Sequence, residues 1–153
     1  MSAKFKLDRM PQALGITIAV DFDGTIVEHK FPEIGNPVPD AVYWLQKFQE
    51  AGATIILYTM RDKDYLDAAL NYCIEMGIEI DYHSTNPTQA QWTTSPKCYA
   101  HLYIDDAAIG CPHIYPKYGR PYVDWEKIGP MVMSRIESWE RGTFYGIRED
   151  GES

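Results

Sequence analysis

The sequence has few of the features that mark secreted, membrane-spanning or metal-clustered proteins. Its three cysteines, Cys73, Cys98 and Cys111, are an odd number and have no Cys-x-x-Cys spacing. We therefore expect neither a disulfide framework nor a zinc site, and a reducing cytoplasm fits this usage best. No apolar run approaches the roughly 18 residues that span a bilayer, so no membrane partner is expected.

Basic residues are also scarce. The chain has 14 Lys and Arg against 22 Asp and Glu, a net charge of −8. General nucleic-acid binding needs a basic surface, so this function class is not expected. A length of 153 residues with 45% hydrophobic residues suits a single domain over residues 1–153. We expect residues 1–14 to form an N-terminal arm and residues 142–153 to fray.

Apolar runs alternate with amphipathic segments along the chain. The pattern predicts strands at 16–22, 53–58, 78–82, 100–104 and 122–123, and helices at about 40–51, 63–76 and 125–140. This alternation predicts an α/β fold, a three-layer α/β/α sandwich on a mainly parallel, Rossmann-like sheet. Two long segments lack such periodicity, namely 26–39 and 83–96. The second, with Trp92, either binds a base or sugar or packs as a plain loop.

Three predicted strands end in polar side chains. Asp21 and Asp23 follow the first strand, Thr59 follows the second, and Asp105 and Asp106 follow the fourth. Ligands of open α/β sheets bind beyond the carboxyl ends of the strands. Neighbouring acids at such a place need a cation or a polar partner to offset their charge. The sequence therefore predicts a ligand site at this edge of the sheet.

The stretch Asp21-Phe22-Asp23-Gly24-Thr25 resembles motif I of the haloacid dehalogenase (HAD) superfamily, most of whose members are Mg²⁺-dependent phosphatases. Thr59, Lys97 and Asp105-Asp106 stand where that family has its motifs II, III and IV, in the same order. The segment 26–39 is too short for a cap domain. The resemblance therefore implies a capless HAD domain.

The resemblance also implies roles in catalysis. Asp21 would attack phosphorus as the nucleophile and form an aspartyl-phosphate, and the free side chain of Asp23 would act as general acid and then base. Thr59 and Lys97 would bind the transferring phosphoryl group.

Metal and substrate residues follow from the same resemblance. Mg²⁺ would be bound by four acids, of which Asp106 acts directly or through water: Asp21, Asp23 through its carbonyl, Asp105 and Asp106. Gly24 permits a close backbone approach, and Thr25 offers a hydroxyl and an N–H for substrate. Arg61 is either a contact for the substrate or an exposed arginine at a helix start. His29 and Lys30 either face the site or are solvated.

The expected activity is hydrolysis of a phosphomonoester by a Mg²⁺-dependent phosphohydrolase. The substrate would be a sugar phosphate, a nucleotide or a phosphorylated polymer end. Capless members of the family act on large substrates or use a neighbouring subunit as a lid, so a homo-oligomer is compatible with the resemblance. One alternative is a phospho-acceptor module, although bacterial receiver domains have their acid pair first and their lysine last. Another is a non-catalytic module that binds metal or phosphate and has a regulatory role.

Overall fold

The computed structural model describes residues 15–146. The predicted arm at 1–14 and the end of the predicted tail, 147–153, lie outside the described residues. The described elements follow this order: β1 (Thr17–Val20), α1 (Ala41–Glu50), β2 (Thr54–Leu57), α2 (Lys63–Glu75), β3 (Tyr82–His83), a 3-10 turn (Pro87–Gln89), β4 (Leu102–Ile104), β5 (His113–Ile114), β6 (Tyr122–Val123) and α3 (Trp125–Glu140). None of the helices within this range has the length and apolar character to cross a membrane.

Four parallel strands form the main sheet, in the order β3-β2-β1-β4. This sheet and its helices confirm the predicted α/β fold with a Rossmann-like parallel sheet. The predicted strand 122–123 exists, but it pairs antiparallel with β5 in a separate two-stranded sheet. The third strand is shorter and later than the predicted 78–82.

The two faces of the sheet are covered differently. Side chains on one face, such as Val20 and Leu57, share a buried cluster with residues of all three helices, including Phe48 of α1. Ala19 and Ile56 point the other way and are also buried, outside that cluster. Tyr103 is on this same face, because it pairs with Ala19, and its hydroxyl donates to the Cys98 carbonyl at 2.6 Å. The segment before β4 therefore lies over this second face, where the predicted three-layer sandwich has helices, and we call it the loop-covered face.

The last helix contains two residues that usually weaken helices. Gly129 is needed because a Cβ there would lie 2.1 Å from the Trp44 ring, so α1 and α3 approach closely at this point. Pro130 stands inside the helix, which continues through it. Pro130 cannot donate to the carbonyl of Glu126, but both residues are exposed, so water can satisfy that carbonyl.

The beginning of the predicted frayed tail is ordered. After α3 the chain turns back, and the Thr143 N–H donates to the Ser138 carbonyl at 2.8 Å. The Phe144 ring then packs against Trp139, with ring centroids 5.7 Å apart, and against His101. The expectation of fraying is therefore wrong for residues 142–146, because an aromatic side chain anchors them.

Candidate active site

The carboxyl ends of β1 and β4 place two of the acids side by side. The Asp21 N–H donates to the Ile104 carbonyl at 2.9 Å, which continues the parallel ladder past the last strand residue and aligns Asp21 with Asp105. On the other side, the Tyr58 N–H donates to the Val20 carbonyl at 2.8 Å, so Asp21 also lies beside Tyr58. The sheet therefore fixes the spacing of Asp21 and Asp105.

Three carboxylates converge at this edge. Asp21, Asp105 and Asp106 each offer one oxygen, and these oxygens lie within 4.8 Å of one another. All three residues are partly buried. Hard cations such as Mg²⁺ take oxygen ligands, usually one or two carboxylates with water and phosphate, so this donor set fits such an ion. The backbone and side-chain geometry of the three aspartates makes them the residues that could hold it.

The electrostatics of the cluster follow from burial and from like charges. Burial raises the pKa of Asp21 to about 8, and the hydrogen bond with Asp106 and the charge of Asp105 act in the same direction. Burial also raises the pKa of Asp106, but its hydrogen bonds with Asp21 and His29 outweigh that and hold this pKa below its usual value. Without a cation, therefore, Asp21 is the carboxyl of the pair on which a proton is favoured, and Asp106 is the one that favours the ionised form.

Thr25 links Asp21 to Asp106 through hydrogen bonds of its hydroxyl group. Its side chain is fully buried, and its hydroxyl donates to Asp21 Oδ2 at 3.0 Å. The same hydroxyl oxygen accepts from the Asp106 N–H at 3.2 Å. The Thr25 carbonyl accepts from Trp125 Nε1 at 2.7 Å. Thr25, predicted as a substrate-binding residue, thus positions the two acids through bonds inside the protein.

His29 is a site residue that the sequence leaves undecided. Its Nε2 lies 2.8 Å from Asp106 Oδ2, and both side chains are mostly buried. His113, which sequence reasoning missed, lies with its Nε2 2.5 Å from the Asp106 carbonyl oxygen. Neither histidine belongs to a sequence motif from which its place in the site could be predicted. Lys30 is solvated, and its ammonium lies 3.7 Å from Glu33 Oε2.

Gly24 is required where these groups meet. Its φ is +83°, a conformation that side chains rarely adopt, and a Cβ there would lie 2.1 Å from His29 Nε2 and 2.4 Å from Asp106 Oδ2. The glycine therefore makes room for the hydrogen bond between His29 and Asp106. The groups that approach Gly24 closely are therefore side chains of the protein, whereas the sequence analysis names Gly24 as a substrate-binding residue.

Asp23 has a different environment from the one predicted. Both of its carboxylate oxygens accept hydrogen bonds from Arg61, from Nε and from Nη2, each at 2.8 Å. A general acid was expected to have a free side chain, but the carboxylate of Asp23 is bound by Arg61. The alignment of strand ends could not reveal this partner, which lies 38 residues away in sequence.

Arg61 is neither an exposed arginine nor a free substrate contact. It is 3% exposed and lies over the rings of Phe22 and Phe31, each centroid 5.1 Å from its guanidinium carbon. Its remaining donors reach the carbonyls of Pro32, Glu33 and, at 3.5 Å, Tyr65. All five guanidinium N–H groups thus have partners inside the protein.

Thr59 and Lys97 are not drawn into the carboxylate cluster by direct contacts. The Thr59 hydroxyl accepts from the Arg61 N–H at 3.1 Å. Lys97 is exposed, and its ammonium lies 5.6 Å from the centre of the Tyr103 ring. Within residues 15–146, no carboxylate lies within 4.0 Å of that ammonium. Tyr103 is on the loop-covered face, two residues before Asp105, so Lys97 is on the flank of the site.

The comparisons with known proteins bear on family rather than on chemistry. The sequence matches no protein-family model and no curated protein. It is similar to the solved structure of a conserved protein from Bacteroides thetaiotaomicron, with a TM-score of 0.65 and 38% sequence identity. The similarity covers 79% of this chain and 92% of that one. The chain therefore belongs to the same family as this conserved Bacteroides thetaiotaomicron protein.

Proposed function

We propose that the protein is a Mg²⁺-dependent phosphohydrolase that transfers a phosphoryl group to Asp21 and then releases it to water. The observation that carries the proposal is the convergence of Asp21, Asp105 and Asp106 at the carboxyl ends of two adjacent parallel strands. The likeness of Asp21-Phe22-Asp23-Gly24-Thr25 to HAD motif I supports the same chemistry. The convergence supports the proposal because it would supply both a nucleophile and ligands for the cation that phosphoryl transfer needs.

The chain's own residues orient the nucleophile. The Thr25 hydroxyl holds Asp21 Oδ2 and so fixes the plane of the carboxylate that attacks phosphorus. A bound Mg²⁺ would offset the negative charge that three aspartates present to a phosphate dianion. As the bond from Asp21 to phosphorus forms, the bond to the leaving oxygen breaks, and that oxygen takes a proton. Water then cleaves the aspartyl-phosphate, which restores the carboxylate and gives inorganic phosphate.

Proton transfer is assigned to Asp23, with one condition. Asp23 can reach the leaving oxygen only if at least one of its two oxygens is released by Arg61. Lys97 would turn from the Tyr103 ring to the phosphoryl group, and Thr59 would donate its hydroxyl to a phosphoryl oxygen. The substrate would be a phosphomonoester. We place the activity in the cytoplasm, a location that the three free cysteines support.

The test is phosphate release from a panel of sugar phosphates, nucleotides and phosphorylated polymer ends, with and without Mg²⁺. Asp21→Asn removes the nucleophile with little change in shape, and we expect it to lower kcat by about 10³-fold or more. Asp67→Asn is the matched control, since Asp67 is exposed on α2. Mg²⁺-dependent release that survives Asp21→Asn would refute the proposal.

A second candidate function is a phospho-acceptor module in which the aspartyl-phosphate persists. The specific observation in its favour is the occupied carboxylate of Asp23, because a site whose acid and base are held by Arg61 hydrolyses its intermediate slowly. The lifetime of the phosphorylated protein separates the two functions. Decay within seconds after removal of the phosphate donor supports the hydrolase, and a form that lasts many minutes supports the acceptor.

A further inference from the structure

We propose that residues 113–123, which we call the tyrosine hairpin, bind single-stranded nucleic acid, and that the substrate is the phosphorylated end of such a strand. The inference rests on the proposed function and deepens it, because it selects one of the possible phosphomonoesters. The tyrosine hairpin consists of β5, β6 and the loop between them, and Ile114 pairs with Tyr122 where the loop begins and ends. Its attachment to the site, its charge and its exposed rings carry the inference.

Both strands of the tyrosine hairpin are hydrogen-bonded to residues of the candidate site. In β5, His113 lies with its Nε2 2.5 Å from the Asp106 carbonyl oxygen. In β6, the Val123 N–H donates to the Gly24 carbonyl at 3.1 Å. These bonds fix the position of the hairpin relative to Asp106, whose carboxylate is one of the three that converge.

The Tyr115 ring lies close to the carboxylates. Its centre is 6.2 Å from the centre of the His113 ring, which itself contacts the main chain of Asp106. A single imidazole ring therefore separates Tyr115 from Asp106. A nucleotide is longer than an imidazole ring, so a strand whose terminal phosphate lies at Asp21 and Asp105 can place its first or second base on Tyr115. The Tyr115 side chain is 77% exposed, and bases of any sequence stack on exposed aromatic rings.

The charge of this part of the chain is opposite to that of the whole protein. A net charge of −8 disfavours general nucleic-acid binding, yet residues 107–123 contain no Asp or Glu and include Lys117 and Arg120. Both cations are exposed, and within residues 15–146 no carboxylate lies within 4.0 Å of either. The Lys117 ammonium lies 5.4 Å from the centre of the Tyr118 ring. The hairpin is therefore a local basic surface that complements the negative backbone of a nucleic acid.

The order of side chains in the hairpin favours nucleic acid over a phosphoprotein. The ring of Tyr115 is followed by the cations of Lys117 and Arg120, and a single strand offers bases and phosphates in alternation. A polypeptide has no regular series of anions to pair with both cations. The bases of a duplex are already stacked on one another, so a single strand fits Tyr115 better. Pro116 and Pro121 restrict the backbone of the loop, which lowers the entropy lost on binding.

The experiment compares a short oligothymidylate that carries a terminal phosphate with thymidine monophosphate that carries its phosphate on the same hydroxyl. The 3′ and 5′ positions are tested separately. Dissociation constants are measured by calorimetry on the full chain carrying Asp21→Asn, with Mg²⁺, so that no turnover intervenes. We expect the oligonucleotide to bind about tenfold more tightly at one of the two positions, because it adds a further base and backbone phosphates.

Variants of the hairpin identify the contacts. Tyr115→Ala should weaken oligonucleotide binding about tenfold, whereas Tyr115→Phe keeps the ring and should keep the affinity. Tyr145→Ala is the matched control, because Tyr145 is 81% exposed and lines a cavity with Ile16 near the amino end of β1. Lys117→Gln combined with Arg120→Gln should reduce the slope of log affinity against log salt concentration by about 1.4, which is about 0.7 for each phosphate of a single strand.

Several results would overturn the inference. Equal affinity for oligonucleotide and mononucleotide at both positions, or binding of neither, removes the case for a nucleic-acid site. Oligonucleotide binding that is unchanged in Tyr115→Ala, or a salt slope that is unchanged without Lys117 and Arg120, would place the strand elsewhere. A phosphopeptide that displaces the oligonucleotide and is weakened by Tyr115→Ala would make the hairpin a protein-docking surface.

The hairpin and the proposed hydrolase can fail separately. Asp21-dependent phosphate release from mononucleotides and sugar phosphates, without any preference for an oligonucleotide, would leave the hydrolase standing and overturn the inference about the hairpin. Conversely, an oligothymidylate without a terminal phosphate should still bind the unmodified protein and depend on Tyr115, even if Asp21 is not a nucleophile.

Discussion

Replacing Gly24 by alanine should damage the carboxylate cluster more than it damages the fold. The new Cβ would lie 2.1 Å from His29 Nε2 and 2.4 Å from Asp106 Oδ2. Both atoms are ends of flexible side chains, so we expect them to swing apart while the backbone stays. The hydrogen bond between His29 and Asp106, 2.8 Å long, would then be lost.

The expected loss in the free energy of unfolding has two contributions. A side chain at φ +83° costs about 1–2 kcal/mol of the free energy of unfolding. A hydrogen bond to a charged group adds about 1.5–3 kcal/mol. Gly119→Ala is the matched control, because Gly119 has φ +90° and open space around its Cβ position. We therefore expect Gly24→Ala to cost about 2 kcal/mol more than Gly119→Ala.

Urea unfolding and Mg²⁺ calorimetry on both variants measure these effects. Loss of the group that orients a ligating carboxylate typically lowers metal affinity by about 10–100-fold, and we expect this for Gly24→Ala alone. If Gly24→Ala and Gly119→Ala have the same unfolding free energy and the same Mg²⁺ affinity, the close approach at Gly24 has no role in the site.

Three further predictions concern the surroundings of the cluster. Arg61→Met should lower the free energy of unfolding by about 3 kcal/mol, the lower end for a broken buried pair, because Asp23 keeps 18% exposure. Trp125→Phe should cost about 2 kcal/mol, because it leaves the buried Thr25 carbonyl without its donor. Mg²⁺ affinity should rise between about pH 6 and 8, because burial raises the pKa of Asp21 to about 8 and the metal needs the ionised carboxylate. The folded-state pKa of Asp21 is above its ordinary value of 3.8, so its contribution to stability without metal is full below about pH 4 and is lost as the pH rises through about 8.

Each of these predictions has its own control. Arg120→Met removes an exposed arginine and should leave the unfolding curve unchanged. Trp92→Phe makes the same chemical change as Trp125→Phe at an exposed position and should also be neutral. An Arg61→Met protein as stable as Arg120→Met, or a Trp125→Phe protein as stable as Trp92→Phe, would contradict the assigned contacts. Mg²⁺ affinity that is flat from pH 6 to 8 would contradict the raised pKa of Asp21.

The fold class was predictable because the buried parallel strands are continuous apolar runs. The position of β3 was not predictable, since the residue at which this strand begins depends on a side-chain hydrogen bond. Asp81 Oδ2 accepts from the Ile55 N–H at 2.9 Å, and the Asp81 N–H donates to the Ile55 carbonyl at 3.0 Å. The carboxylate thus takes a place that a backbone carbonyl would fill in a regular ladder, and strand pairing begins only at Tyr82. Ile78, inside the predicted strand, instead packs in the core.

The carboxylate cluster could be expected from the sequence because strand ends in a parallel sheet meet at one edge. The hydrogen-bond partners of those acids could not be predicted from the sequence. His29 and Arg61 reach Asp106 and Asp23 across 77 and 38 residues. Each contact depends on the path of the irregular segment 26–39, which no periodicity describes. Arginine after a strand end has the same local sequence whether it binds substrate or a neighbouring aspartate.

Identifying the phosphorylated residue tests whether Asp21 is the nucleophile. The protein is mixed with Mg²⁺ and a radiolabelled phosphate donor that it turns over, quenched in acid within a fraction of its turnover time, and digested for peptide mapping. We predict label on Asp21, absent from Asp21→Asn and present in Asp67→Asn. Turnover by a protein that carries no label on Asp21 at any quench time would contradict it, because phosphate would then leave without the aspartyl-phosphate intermediate.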